Sequence, residues 1–135
     1  MVKIISQTQF RKHVLECIDD AETIYNIDFG RVTITFDLKG YTAADARFSP
    51  HPTMGQVFKL RFNKEAIKQD WDMMVESTIP HEVAHLVCFA KPEFKSENHD
   101  RIWRAIAIRL GDRDRGMVGH TLTLTSTRRP TPRNY

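Results

Sequence analysis

The sequence predicts a small α+β domain: an N-terminal helix, a small antiparallel three-stranded sheet, then a pair of helices. Three observations carry that prediction. Apolar residues recur at helical spacing over roughly the first 25 residues, three short alternating runs follow one another, and a second helical pattern begins near Trp71. A chain of 135 residues has room for one domain and little more.

Taken in order, Ser6 followed by Gln9 fits a capping box and marks a helix start. Phe10, Val14, Cys17, Ile18, Ala21 and Tyr25 then form one apolar stripe, ending near Asn26. Val32, Ile34 and Phe36 alternate with Thr33, Thr35 and Asp37, the pattern of a half-buried strand. After a turn at Leu38-Lys39-Gly40, Ala44, Ala46 and Phe48 alternate with Asp45 and Arg47. Pro50, Pro52 and Gly55 mark a loop, and Phe58, Leu60 and Phe62 make a third strand. Consecutive short strands with tight turns favour an antiparallel meander. Asn63 can cap a short helix. A longer helical pattern runs from Trp71 to Ala90, where Pro80 either kinks it or opens a new helix. Lys91-Pro92 ends that pattern. Asn98 can cap the next helix, with Ile102, Trp103, Ile106 and Leu110 inward and Gly111 as its stop. Val118, Leu122 and Leu124 suggest a last extended segment. The domain is therefore expected over residues 1–127, with 128–135 as a basic, flexible tail.

Composition excludes several classes of protein. The hydrophobic share of 41%, with eight Phe, two Trp and three Tyr, is enough for a real core and argues against disorder. No run of 18 apolar residues exists to cross a membrane, and the opening residues lack a secretory signal. Two cysteines cannot make a disulfide framework, which fits two buried thiols in a reducing cytoplasm. The net charge of +3 is unevenly spread. Residues 1–99 carry 12 Lys and Arg against 14 Asp and Glu, whereas residues 100–135 carry 8 against 3. The basic residues of that last third are all arginine, whose forks suit phosphate. Arg101, Arg104, Arg128, Arg129 and Arg133 are the candidate nucleic-acid contacts, the alternative being a solvated helix face and a soluble tail.

The chemistry concentrates at His81-Glu82-Val83-Ala84-His85, an H-E-x-x-H motif inside an apolar helical stretch. Histidines at i and i+4 project from one helix face, so both imidazoles can reach one ion. Glu82 can stand beside that ion and take a proton from its water. A catalytic zinc site wants a third protein ligand and an open position. Metzincin spacing needs Gly at position 88 and His at 91, where this chain has Cys88 and Lys91. Thermolysin-like spacing needs a Glu where Trp103, Arg104 and Ala105 stand. His99, at the start of the next helix, is the best candidate, ahead of Asp100, Glu93 and Glu97. Cys88 shares the stripe of His81 and His85 but reads as a small buried thiol. His120 reads as a structural histidine, and Phe58 and Trp71 as core rather than base-stacking residues.

TIPHEVAHLV followed by NHDRIW resembles the SprT-like metallopeptidases, which include the Spartan proteases. Their pattern is H-E-x-x-H, a third histidine opening the next helix, and an aromatic four residues on; His81, Glu82, His85, His99 and Trp103 match it. GYTAADARF, LRFN and GHTLTLTSTRR resemble flanking family segments, so the likeness spans roughly residues 6–129. The resemblance implies a zincin-like fold, one catalytic Zn²⁺ and proteolysis of DNA-associated or DNA-crosslinked proteins. Two departures stand out: Asp100 replaces a frequent glycine, and Tyr135 falls about where many bacterial members begin a four-cysteine zinc ribbon. The chain is therefore expected to be a short form without the ribbon, or a truncated one.

The mechanism expected is peptide hydrolysis by metal-activated water, with His81, His85 and His99 as ligands and Glu82 as general base. Tyr41 and His120 are candidates for a second oxyanion donor. Expected partners are an unfolded or DNA-bound protein substrate and single-stranded DNA, with no membrane; the chain is expected to act as a monomer in bacterial or phage-infected cytoplasm. Two alternatives remain. One is a non-catalytic zinc-containing module that binds DNA or protein; the other is a hydrolase acting on a non-protein amide.

Overall fold

The stripe of Phe10, Val14, Cys17, Ile18 and Ala21 is buried along its whole length. In the computed structural model, which describes residues 2–51, 53, 55–94 and 101–113, it forms the inner face of α1, Val2–Tyr25. Ser6 lies inside this helix rather than capping it, because the helical run continues N-terminal to it. The helix stops where Asn26 turns left-handed at φ 55°, and the Ile27 N–H closes the end on the Glu22 carbonyl at 3.0 Å.

The three alternating runs form β1 (Val32–Leu38), β2 (Ala44–His51) and β3 (Gly55–Asn63). Their order in the sheet is β1-β3-β2. β2 and β3 pair antiparallel as a hairpin, with Ala46 opposite Leu60 and Phe48 opposite Phe58. β1, however, pairs with β3 in parallel, Val32 opposite Phe58 and Ile34 opposite Leu60. The sheet is thus mixed, which corrects the all-antiparallel meander. Two features of the strands account for the order. β3 carries the most fully buried apolar residues, Phe58, Leu60 and Phe62, so it gains most from a central place. β2 contains Pro50, which has no N–H to give to a ladder and is tolerated at a sheet edge.

Asn63 joins the sheet to α2, Lys64–Gln69, as the N-cap that accepts from Glu65 N–H at 2.9 Å. Its amide also donates to the Gly40 and Thr42 carbonyls at 3.0 and 3.1 Å, tying the β1–β2 connection to the end of β3. Helical backbone then runs from α3, Trp71–Met73, through a π-helical turn at Met74–Thr78 into α4, Ile79–Ala90. Pro80 sits in the first turn of α4. Proline has no N–H and its ring would crowd the carbonyl of residue 76 in a regular α-helix, so the wider turn ahead of it relieves that clash. The Glu76 carbonyl is taken instead by the Arg113 N–H at 2.9 Å.

α4 is buried at every position from Ile79 to Cys88, so it is the central helix of the domain rather than a surface one. It packs against α1, against β2 and against α5, Arg101–Arg109. α5 ends in a Schellman turn in which the Gly111 N–H reaches the Ile108 carbonyl and the Asp112 N–H reaches that of Ala107, at 2.9 and 3.0 Å. Gly111 supplies the required positive φ of 98°. Phe10 makes edge-on ring contacts with Phe62 at 4.9 Å and Trp71 at 5.8 Å, and Phe58 is buried, so both aromatics weighed for base stacking belong to the core. The expected cap Asn98, the last extended segment and the tail lie outside the described residues.

Candidate active site

His81 and His85 stand one helical turn apart on α4, with ring centroids 5.3 Å apart. Both are buried, and so is Glu82 between them. The Glu82 carboxylate lies 3.9 Å from His81 Nε2, close enough to share a small volume with it and too far for a direct hydrogen bond. The rest of this helical stretch is apolar and buried, with Val83, Ala84, Leu86 and Val87 all at 0% exposure. Placing a carboxylate in such surroundings is costly unless a positive charge accompanies it. A divalent cation held by the two imidazoles would meet that need.

α5 supplies the wall opposite. Trp103 is fully buried, its ring 4.6 Å from that of His81 and 5.2 Å from that of His85, the latter nearly parallel at 24°. Its Nε1–H donates to the His81 carbonyl at 3.1 Å. One side chain thus fixes the facing of both imidazoles and locks α5 to the first turn of α4. A further ring lies near-parallel to His85: Phe89 is 6.4 Å from it at an interplanar angle of 22°.

The donor set suits a borderline metal such as zinc, since neutral imidazole nitrogens are among its commonest ligands. Among the described residues no group of three His, Cys, Asp or Glu side chains converges on one point. His99, Asp100 and Glu97 lie outside the described residues; Trp103, four positions after His99, is held against the two imidazoles. Glu93 is exposed and 3.5 Å from Lys91. A backbone hydrogen bond, assisted by the Lys91 charge, holds its carboxyl below the usual range. Cys88 is a buried thiol, as expected. Tyr41 lies in the turn between β1 and β2, half-buried, whereas His120 is outside the described residues. Arg101 and Arg104 occupy the exposed face of α5; Arg128, Arg129 and Arg133 are outside the described residues.

Sequence reasoning missed the supports of this site. Ser77 donates to the buried Asp112 at 2.6 Å, and Arg113 Nη1 pairs with Glu76 at 2.6 Å. Together they fasten the end of α5 to the turn that precedes the two histidines. Phe89 could have been found, because it follows His85 at i+4. Its partner Phe48 could not, since 41 positions separate them in the chain.

The fold and the motif together define an α+β domain that carries H-E-x-x-H on its central buried helix, with an aromatic from the next helix packed on both histidines. Residues 14–124 match the SprT-like family, and the chain belongs to that family. It is 29% identical over 104 residues to Protein SprT of Shewanella oneidensis, covering 77% of this chain and 62% of that protein. It is 31% identical over 98 residues to Protein SprT of Pseudomonas savastanoi pv. phaseolicola, covering 73% and 56% respectively. A similar match, 31% over 96 residues, covers 71% of the chain and 54% of Protein SprT of Pseudomonas entomophila. The chain therefore matches somewhat more than half the length of these bacterial relatives. No solved structure matches it. No helix among the described residues is long and apolar enough to cross a membrane.

Proposed function

We propose that the protein is a zinc-dependent metallopeptidase that hydrolyses peptide bonds in unfolded or DNA-bound proteins, including proteins crosslinked to DNA. The observation that carries this reading is the burial of His81, Glu82 and His85 together on the central helix, with Trp103 packed across both imidazoles. His81 and His85 would hold the ion, with His99 as the third ligand. Bound zinc would supply an acidified water and a positive charge for the scissile carbonyl. Glu82 accepts the proton of the attacking water and returns one to the leaving amine. Trp103 holds the imidazoles in their facing.

The excess of arginine in the last third of the chain supports a nucleic-acid partner, with single-stranded DNA the form we favour. The bacterial origin of the relatives suits work in bacterial or phage-infected cytoplasm, and we take the monomer as the active unit. The test is a panel of folded, unfolded and DNA-bound proteins offered to the zinc-loaded chain, with and without single-stranded DNA. Cutting of unfolded or DNA-bound members, increased by DNA, supports the reading. Tightly held zinc with no cutting of any member favours a non-catalytic binding module instead. Cleavage of a non-protein amide alone would assign a different hydrolase.

A further inference from the structure

We infer that Phe48 and Phe89 form a subsite that selects an apolar side chain next to the scissile bond. This rests on the reading of His81, Glu82 and His85 as a peptidase centre. Phe48 is 42% exposed, although it falls on the same alternation of β2 as the buried Ala44 and Ala46. Its ring packs against Phe89 at 4.6 Å and against Phe58 at 6.4 Å. Phe89 in turn stacks over His85. An apolar shelf therefore runs from solvent to one histidine of the motif within about one helical turn. The other large exposed apolar residues, Leu15 and Ile24 on α1 and Ile102 on α5, make no comparable ring stack and need no special account.

The occupant is a side chain of an extended polypeptide. Among the described residues β2 is an edge strand of the sheet, and we assign its outer flank to a chain lying beside Phe48. A chain that places a carbonyl at His81 and His85 then has its neighbouring side chain over Phe89 and Phe48. A ring pair offers dispersion and area burial without hydrogen-bond partners, so it favours Leu, Met, Phe or Tyr over Ser, Asp or Gly.

The test compares two unstructured peptides that differ only in Leu or Ser beside the cut bond, with zinc-loaded wild type, Phe48→Thr and Phe48→Leu. Threonine keeps the strand propensity of the position. We expect the kcat/KM ratio of the Leu to the Ser peptide to be about 10 or more for wild type, the scale of discrimination a small apolar contact supplies. It falls below about 3 in Phe48→Thr and stays near wild type in Phe48→Leu. A wild-type ratio near 1, or one that Phe48→Thr leaves unchanged, overturns the subsite while the peptidase stands. Failure of wild type to cut either peptide removes both.

Discussion

Trp103 shows how one side chain can fill a core and set the facing of two histidines together. Trp103→Phe loses the indole N–H bond to the His81 carbonyl and leaves part of the ring's volume empty at a fully buried site, and is expected to cost about 1–3 kcal/mol of stability. Trp103→Ala, which empties a fully buried site, is expected to cost about 3–5 kcal/mol. Chemical denaturation of both variants checks the ratio; equal losses would mean that a phenyl ring restores none of the packing the indole supplies. Cys17 gives a second prediction at this scale. Burial, assisted by the Asp20 charge, pushes its thiol from an ordinary 9.0 up to about 12. The neutral form is thus retained in the native state, and the stability linked to it is lost as pH rises from about 9 towards 12. Alkylation at pH 8 should spare Cys17 in the folded protein and modify it on unfolding, which mass spectrometry of the peptides can read. The motif itself was legible in the sequence because its geometry is local: four residues make one helical turn. Burial of Asp45 was not, because alternation marks it as outward and only the fold brings Arg61 and Arg47 onto its carboxylate.

Helix and strand boundaries tell a similar story. Asn63 was readable as a cap, and its amide bonds to the Gly40 and Thr42 carbonyls make it more than one. Asn63→Ala is expected to cost about 2–3 kcal/mol, beyond the usual cap alone, in a thermal or urea melt. Pro80 was readable as a disturbance of the helix but not as its outcome. The π-helical turn that accommodates it depends on Arg113 covering the Glu76 carbonyl, a contact 37 residues long. Ser77→Ala, which removes the bond to Asp112, should cost about 1–2 kcal/mol; no change in the melt would show that Asp112 does not tie α5 to α4 through this bond. The hairpin β2–β3 followed from its turn residues, whereas the parallel partner of β1 did not. Parallel pairing is non-local, and strand alternation alone does not say which neighbour a strand takes.

Across the described residues, the layers place the most buried helix, α4, between α1, the sheet and α5, so the H-E-x-x-H motif sits in the core rather than on a loop. Burial of two imidazoles and a carboxylate together makes stability depend on what joins them. Chelation is therefore expected to lower the melting temperature, with zinc at 1,000 times its dissociation constant restoring about 4 kcal/mol. A chelated chain that melts where the zinc-loaded one does would separate the site from the stability of the fold. Fold class, the central helix and the two motif histidines could all be read from periodicity. The order of strands and the fastening of α5 to α4 are tertiary and could not. The central claim is zinc-dependent peptide hydrolysis with Glu82 as the base, and the most direct measurement is cleavage of an unstructured basic protein by zinc-loaded wild type beside Glu82→Gln. The account predicts one zinc held by each and turnover reduced at least about 100-fold in the variant. Equal turnover by the two proteins would contradict it.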